Sequence, residues 1–520
     1  MPKEIAKTAK VIGRPGTGKT TYLLGLIEAA AKKYDPNRVG AVSFTVAAVN
    51  EMKDRVARSS GISKGTIKNC RTIHSHCFRL LDLRKEKVAD EKIPEWNKEF
   101  PQWELPDSTL LNEDNHYDDT ISRKRTEDNL KLFNRIQIKR NKMIPQGEWS
   151  HDEKLMHKDW AGWLYENDYV DYTGMVEMAL EMRLIPEIDV LFVDEAQDLT
   201  PLQMALMGMW SENTVSTVYS GDSNQAIFRF SGSVPEVFMN LEHGFLKNLE
   251  QSYRIPKVVH AYSENLIRQI KKREDAVYNP TNVEGEIFYG MEEPNLDMDG
   301  SHMLIARCNY HLNRWRRYLT SNGIPWHNPY RPGDKSWNPT ATKLWQASRS
   351  YVRMKYGLNI TGLEFREMIK EMVVKDNLIR GAKKNIDDIM IDPKQKVDIF
   401  GTSLSGMFLD PDQLFKKPLS GIFNLKKGQA GDIMQNITDE TTLMNEPKII
   451  LGTIHSIKGG EASHVWIDTG TSRQCMIAMG TDPTAFDDEV RVGYVAVTRA
   501  RDTLGFLQAD GYVNRVFPLT

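Results

Sequence analysis

A glycine-rich turn near the start of the chain has the residue types and the spacing of a phosphate-binding loop. Residues 13–20 read GRPGTGKT and fit the pattern G-x-x-x-x-G-K-[ST]. Glycines at these positions let backbone N–H groups wrap around phosphate oxygens at a helix N-terminus. Lys19 would then supply a point charge to the outer phosphates, and the Thr20 hydroxyl would ligate Mg²⁺. The loop therefore predicts a nucleotide site that uses Mg²⁺.

Two acids complete this chemistry further along the chain. Residues 190–195 read VLFVDE, an apolar run that ends in Asp194 and Glu195. Asp194 would join the Mg²⁺ shell, and Glu195 would orient and deprotonate the attacking water. Acids often end strands, so the pair is informative only together with the phosphate loop. A γ-phosphate also needs a sensor and cationic charge from outside the loop, for which Gln225 and Arg254 or Arg499 are candidates.

The elements that must position these groups follow a strand–helix alternation. Strand-like runs are predicted at 9–13, 39–44, 189–194, 216–222, 302–307, 448–453 and 464–469, with helices at 20–33 and 47–57. This order favours parallel sheets, in which ligands bind outside the carboxyl ends of the strands. Two stretches break the rhythm, at about 84–129 and 334–445. Both are expected to be mostly helical insertions, with further helical patterns at 132–164.

Composition limits the class of protein. The 520 residues include 68 Lys and Arg against 70 Asp and Glu, a net charge of −2, which excludes a wholesale basic coat but not a local basic groove. Four widely spaced cysteines argue against a disulfide scaffold or a zinc ribbon. No apolar run approaches the ~18 residues of a bilayer span, and no signal peptide is evident. We expect a reducing, cytoplasmic, soluble protein without membrane contact.

At this point the ordered set of motifs resembles superfamily 1 helicases of the UvrD/Rep/PcrA type. The segments similar to its motifs I to VI, in order and including Ia and Ib, are GRPGTGKTT, SFTVAAVNEMKDRV, RTIHSHCFRLL, VDEAQDLTPLQ, GDSNQAIFRFSG, LEQSYRIP, TIHSIKGGEASHVWI and EVRVGYVAVTRAR. DYTGMVEMAL (171–180) also resembles the segment that this family places before its acidic motif. The motifs span residues 11 to 506 and leave only the two irregular stretches unmatched.

The resemblance implies an α/β fold of two RecA-like parallel-sheet domains in tandem, each interrupted by a mostly helical insertion. Domain 1A would comprise 1–83 and 171–250 around insertion 1B (84–170). Domain 2A would comprise 251–333 and 446–520 around a reduced insertion 2B (334–445). ATP with Mg²⁺ would lie in the 1A/2A cleft, and single-stranded DNA or an ss/ds junction would lie across both domains. Replication or repair proteins would be the partners.

Residue roles carry over by position in the same way. The catalytic set is Glu195, Gln225, Arg254 and Arg499, the last two resembling arginine fingers. The nucleotide set is Gly13, Gly16, Thr17, Gly18, Lys19, Thr20, Thr21, Tyr253 (stacking on adenine) and Glu461 (on ribose), with Thr20 and Asp194 on Mg²⁺. The DNA set is Phe44, Thr72, His74, Phe228, Phe230 and His455. Without the resemblance, core packing would be the first interpretation of Phe44, Phe228 and Phe230.

Departures from the family pattern qualify these expectations. The adenine-reading Gln that the family places well before Lys19 has no counterpart, and Thr21 stands where many relatives have Arg, so we expect weak adenine discrimination. Ser231 also replaces an Arg. A metal site at His74, His76 and Cys77 would need a fourth ligand that is not evident. The DEAQD and TIHSHC segments resemble the 3′→5′ branch. The alternatives are a 5′→3′ helicase, and a DNA-stimulated P-loop ATPase or regulatory DNA-binding subunit without unwinding.

Overall fold

The computed structural model describes residues 7–43, 46–61, 63–106, 124–331, 334, 336–388, 394, 396–397, 406–426 and 428–517. They form two compact units. Unit 1 contains the described residues within 7–287, 472–502 and 514–517, and unit 2 contains those within 288–471 and 503–513. The predicted domain boundaries stay a prediction.

A parallel sheet organises unit 1. Its strand order is β3-β2-β4-β5-β1-β6, and every neighbouring pair is parallel. The strands are β1 (Thr8–Gly13), β2 (Val39–Val42), β3 (Cys70–Arg71), β4 (Val190–Val193), β5 (Ser216–Gly221) and β6 (Phe245–Leu249). The predicted strands β1, β2, β4 and β5 are confirmed, with ends shifted by up to two residues.

Helices cover both faces of this sheet, which is why its central strands are apolar runs rather than alternating ones. Successive residues of β4 illustrate this, since Leu191 belongs to one buried cluster with Trp210 and Phe192 to another with Met52. The helices of these two clusters are α1 (Lys19–Lys33), α2 (Val46–Ser60), α3 (Ile73–Leu80), α7 (Tyr172–Glu181), α8 (Pro201–Glu212) and α9 (Pro235–Met239). Unit 1 also contains α10 (Lys257–Ile267), α18 (Arg473–Thr481) and α19 (Pro483–Val497).

The first irregular stretch is helical where it is described. It contributes α4 (Ile93–Glu99) and the start of α5 (Lys124–Asn141) to unit 1, and the helical pattern predicted after it contains the rest of α5 and α6 (His151–Glu166). These helices share a buried cluster rich in tryptophan, including Trp96, Trp160 and Trp163. The stretch therefore has a small core of its own.

Unit 2 holds most of a second six-strand sheet, in the order β7-β14-β13-β8-β12-β9. The strands are β7 (Glu286–Met291), β8 (His302–Ala306), β9 (Trp326–His327), β12 (Ile449–Thr453), β13 (Ala462–Asp468) and β14 (Ala500–Leu507). Strand β8 pairs in parallel with β12 and β13. The prediction of an α/β chain with two parallel-strand sheets is confirmed.

The second irregular stretch is also mostly helical where it is described. Its helices are α12 (Lys343–Lys355), α13 (Gly362–Glu371), α14 (Ala382–Asp388), α15 (Pro411–Leu414), α16 (Leu419–Ile422) and α17 (Gly428–Asn436). Helix α11 (Leu312–Ser321) precedes this stretch and follows β8. A two-stranded antiparallel sheet of β10 (Ile360–Thr361) and β11 (Lys396–Val397) was not anticipated from the sequence.

Candidate nucleotide site and nucleic-acid surface

The predicted phosphate loop connects β1 to α1. Gly16 and Gly18 adopt positive φ angles of 74° and 76°, which glycine accepts without strain. Lys19 Nζ donates to the Gly13 carbonyl oxygen at 2.7 Å, and Thr17 Oγ1 donates to the Arg14 carbonyl oxygen at 2.8 Å. The loop therefore curls around its own lysine, whose ammonium group lies where a phosphate oxygen could replace the carbonyl.

The two acids follow β4 directly. Asp194 is 3% exposed, and its Oδ1 has no hydrogen-bond partner in the described chain. Burial, together with the neighbouring charge of Glu195, raises the pKa of Asp194 to about 7, although Lys19 opposes the shift. A buried carboxylate oxygen without a partner is costly unless a cation compensates it. Asp194 therefore fits a Mg²⁺ site, with the half-buried Thr20 as the second protein ligand expected from the sequence.

A chain of hydrogen bonds joins Glu195 to Arg499. Gln197 Nε2 donates to Glu195 Oε2 at 2.5 Å, and Gln197 Oε1 accepts the Asp222 N–H at 2.9 Å. Asp222 Oδ2 accepts from Gln225 Nε2 at 2.7 Å. Arg499 Nη2 then donates to Gln225 Oε1 at 3.0 Å. Three of the four predicted catalytic residues are thus connected through Gln197 and Asp222, to which the sequence assigned no role.

Tyr253 and Arg254 lie beside the phosphate loop. The Tyr253 N–H donates to the Gly16 carbonyl oxygen at 2.8 Å, and Ser252 Oγ donates to the Pro15 carbonyl oxygen at 3.1 Å. A methyl group added at Gly16 would approach Arg254 Cβ to 2.5 Å. The Tyr253 side chain remains 75% exposed, as a residue that stacks on a base would require. Thr21, in the first turn of α1, is exposed.

A buried arginine that the sequence did not single out supports the same loop. Arg14 is 2% exposed, and it donates to the Glu274 carbonyl oxygen at 2.9 Å and to the Tyr494 hydroxyl at 3.4 Å. Burial alone would lower the pKa of Arg14, but Tyr494 and Asp222 raise it above its usual value. Glu274 also pairs through Oε1 with the buried Lys10 of β1 at 2.6 Å. One signal of this support is present in the sequence, which is Lys10, a charged residue inside the otherwise apolar strand β1.

The candidate DNA-binding residues of unit 1 fall into two places. Phe228 and Phe230 are half-buried and edge-to-face, with ring centroids 6.0 Å apart, in the turn that follows Gln225. Thr72 caps α3, since its Oγ1 accepts the Ser75 N–H at 3.3 Å. Phe44 lies outside the described residues.

His74 and His76 both lie on α3. His74 packs edge-to-face on Tyr172, with ring centroids 5.4 Å apart, and burial lowers its pKa to about 4. A neutral imidazole at pH 7 can donate one hydrogen bond to a phosphate but supplies no charge. His76 packs in the same way on Trp210, and burial lowers its pKa to about 3.

Two candidates belong to unit 2. His455 is buried and Glu461 is half-buried in the segment between β12 and β13. The segment is held by Ser456, whose Oγ accepts from Asn328 Nδ2 at 3.2 Å. His455 follows the carboxyl end of β12 by two residues, where ligand-binding groups are expected, whereas Glu461 directly precedes the amino end of β13.

The family-model comparison covers the first five of the eight segments that resemble helicase motifs. Residues 2–246 match the UvrD/REP helicase N-terminal domain. This segment is similar to that domain over 245 of the 520 residues of the chain. The resemblance to the UvrD/Rep/PcrA type of superfamily 1 is thereby confirmed.

Curated relatives point the same way. The probable DNA helicase II homolog of Mycoplasma genitalium is 27% identical over 304 residues, which are 52% of this chain and 42% of the relative. The ATP-dependent DNA helicase PcrA of Staphylococcus aureus is 21% identical over 331 residues, 59% of this chain and 44% of the relative. The chain thus spans less than half the length of these relatives.

One solved structure, the Arterivirus nonstructural protein 10 helicase, is 11% identical with a TM-score of 0.32, over 96% of this chain and 59% of that chain. A TM-score this low supports no conclusion.

The UvrD/REP match contains the phosphate loop, Asp194, Glu195, Gln225, Phe228 and Phe230. It ends before Tyr253. The roles of all these residues, inside and outside the match, stay predictions.

All four cysteines are buried free thiols. Over the described ranges, no group of three or more His, Cys, Asp or Glu side chains is arranged to hold a metal ion, and no helix is long and apolar enough to cross a membrane.

Proposed function

We propose that this chain is an ATP-dependent DNA helicase or translocase that moves along single-stranded DNA in the 3′→5′ direction. The observation that supports the proposal best is the hydrogen-bonded series from Glu195 to Arg499 beside a phosphate loop with a partnerless Asp194 oxygen. The direction rests on the DEAQD and TIHSHC segments. The curated relatives named as DNA helicases agree with the class of activity.

In this proposal, the residues of unit 1 divide the chemistry of phosphoryl transfer. Lys19 and the loop N–H groups hold the phosphates, while Asp194 and Thr20 hold Mg²⁺, which neutralises charge on the transferred group when bound. Glu195 orients a water and takes its proton. Gln225 orients the same water, and Arg254 and Arg499 stabilise the charge that develops on the phosphoryl oxygens.

Coupling to DNA is the finer part of the proposal. By resemblance, Arg254 and Arg499 belong to domain 2A, so binding and hydrolysis of ATP in a 1A/2A cleft would move the aromatic side chains that grip the bases. Phe228 and Phe230 follow Gln225 by a few residues, and each stacked base would add about 1–3 kcal/mol to binding. Glu461 would hold the ribose and Tyr253 the base. We also propose a cytoplasmic setting, which free thiols would suit, and partners from replication or repair.

ATP hydrolysis with and without single-stranded polydeoxythymidine tests the activity. We expect DNA to stimulate hydrolysis strongly in the wild-type chain. We expect no stimulation in Lys19→Ala, because this variant lacks the ammonium charge proposed to contact the phosphates. Forked duplexes with a single 3′ or a single 5′ tail then test unwinding and direction. Equal hydrolysis with and without DNA would refute the motor, stimulation without unwinding would favour the DNA-stimulated ATPase, and unwinding from a 5′ tail alone would reverse the direction.

A further inference from the structure

Helix α19 contacts two parts of unit 1. One is the turn that contains Phe228 and Phe230, called the aromatic turn below, and the other is the candidate nucleotide site. Asp488, Arg491 and Tyr494 follow one another at three-residue intervals and therefore share a helix face. The helix has 15 residues, so it is about 22 Å long. Its first turns reach the segment with Phe228 and Phe230, and its end reaches Gln225.

The contact at the start of α19 is ionic. Arg229, the residue between Phe228 and Phe230, forms an ion pair with Asp488, whose Oδ1 lies 3.0 Å from the Arg229 Nε without hydrogen-bond geometry. Its Nη2 donates to both carboxylate oxygens of Glu236 at 3.0 Å. Arg491, one turn along α19, donates to the same Asp488 oxygen at 3.2 Å. Arg491 is fully buried and also donates to the Lys272 carbonyl oxygen at 3.0 Å. The aromatic turn is therefore tied to α19 by one carboxylate that two arginines share.

The contacts at the other end involve the nucleotide site. The Tyr494 hydroxyl accepts from Arg14 of the phosphate loop at 3.4 Å. Arg499 follows the helix by two residues, and its Nε donates to the Val495 carbonyl oxygen at 2.8 Å while its Nη2 donates to Gln225. Because an α-helix is stiff over four turns, a displacement of its first turn displaces these contacts as well.

We propose that Asp488 and Arg229 are positioning residues that transmit occupancy of the aromatic turn through α19 to Arg499 and Gln225. This inference rests on the proposed function, since it needs a strand that stacks on the turn. When a base stacks on Phe230 or Phe228, the backbone between them moves Arg229, and the shared carboxylate moves α19. Glu236 also holds Arg229, but it lies on α9 and not on α19, the helix that Arg499 follows.

The charges around Asp488 make the link sensitive to pH. Arg229 and Arg491 face it as cations, with Lys142 at the end of α5 nearby, whereas Glu236, Glu489 and Asp487 are the nearby acids. Burial raises the pKa of Asp488 to about 6 despite the two arginines. Protonation below that pH removes the Asp488 charge that pairs with Arg229 and leaves the pair with Glu236 in place.

The test compares Asp488→Asn with the matched control Glu236→Gln. Each substitution removes one carboxylate charge beside Arg229 and keeps the side-chain shape. We expect Asp488→Asn to keep basal ATP hydrolysis and DNA affinity but to lose about tenfold in DNA-stimulated turnover, the usual scale for a coupled pair. Glu236→Gln should keep the stimulation. The double variant Arg229→Gln/Asp488→Asn should lose no more than either single variant, because both remove the same link.

A pH series separates coupling from mere support of the fold. The stimulation factor of the wild-type chain should fall as the pH drops through about 6, whereas that of Asp488→Asn should stay flat and low. Stimulation of Asp488→Asn at the wild-type level, or an equal loss in Glu236→Gln, would overturn the inference.

Failure of the proposed function is visible separately, as a wild-type chain whose hydrolysis ignores DNA. In that case the affinity for a fluorescent ATP analogue, measured with and without oligo-dT, still decides the inference. A DNA-dependent change of affinity in the wild-type chain that Asp488→Asn lacks supports it, and any other pattern overturns it.

Discussion

Replacing Arg499 by alanine removes at least three hydrogen bonds that its buried guanidinium donates, to Val495, Gln225 and Thr498. Arg499 is 1% exposed and holds Gln225 Oε1 at 3.0 Å and the Val495 carbonyl oxygen at 2.8 Å. A hydrogen bond to a charged group contributes about 1.5–3 kcal/mol to stability, so the variant should unfold more easily by a few kcal/mol. In its proposed role as an arginine finger, the same side chain would contribute a factor of about 10³–10⁵ to turnover.

The two effects are separated by measuring different quantities. Steady-state ATP hydrolysis with saturating oligo-dT reports turnover, binding of a fluorescent ATP analogue reports affinity, and thermal unfolding reports stability. We expect Arg499→Ala to bind the analogue normally at a temperature where it is folded and to lose at least about 10³ in turnover, because the lost contact forms in the transition state. Arg499→Lys keeps the charge but not the planar fork, so it should recover stability more than turnover.

Arg501 provides the matched control, since it is an exposed arginine two residues further along the chain. Arg501→Ala should hydrolyse ATP at the wild-type rate. If folded Arg499→Ala turned over within about tenfold of the wild-type chain, the finger assignment would be wrong.

Three further outcomes are expected. Gln225→Ala should abolish DNA stimulation of hydrolysis more than it weakens DNA binding in a fluorescence-anisotropy titration; a loss of binding alone would contradict the link. ATP and GTP should bind with similar affinity because the exposed Tyr253 is the main base contact expected, and Tyr253→Ala should weaken both equally; strict ATP selectivity would exclude this. Because burial lowers the pKa of His76 to about 3, against 6.5 for an exposed histidine, its neutral form stabilises the fold at and above pH 6.5. That contribution is lost as the pH falls from 6.5 to about 3, by about 1.4 kcal/mol per pH unit, and urea titrations of the wild-type chain and His76→Gln should show the steeper decline in the wild type.

The parts of the fold that could be predicted from sequence are those in which local pattern and burial agree. Residues 190–193 are apolar on both faces of a central parallel strand, so their composition alone indicates it. The phosphate loop was predictable because its chemistry needs fixed residue types at fixed spacing. Strand β3 has two residues, which are too few to show a periodicity. The motif-like segment that begins at Arg71 did not indicate a strand either.

The connections within the site were harder to predict than its members. Gln197, Asp222 and Glu274 are polar residues in or beside predicted loops, where such residues are common. Their importance arises from partners far along the chain: Gln197 bonds across 25 residues and Glu274 contacts Arg14 across 260. A single sequence contains no record of those pairings, so the predicted catalytic residues could be named without the groups that hold them.

The buried charges Lys10 and Arg14 show how such supporting residues can be found. Leaving an ionised side chain buried without compensation costs several kcal/mol, so a charge inside a strand or a tight loop implies a partner from elsewhere in the fold. Lys10 has the Glu274 carboxylate and Arg14 has the Glu274 carbonyl oxygen and the Tyr494 hydroxyl. Both signals therefore lead to the segment after α10, and that of Arg14 also leads to α19, the helix that bears the proposed coupling. In this chain, the residues that break the apolar pattern of the first strand and loop indicate which distant segments hold the nucleotide site in place.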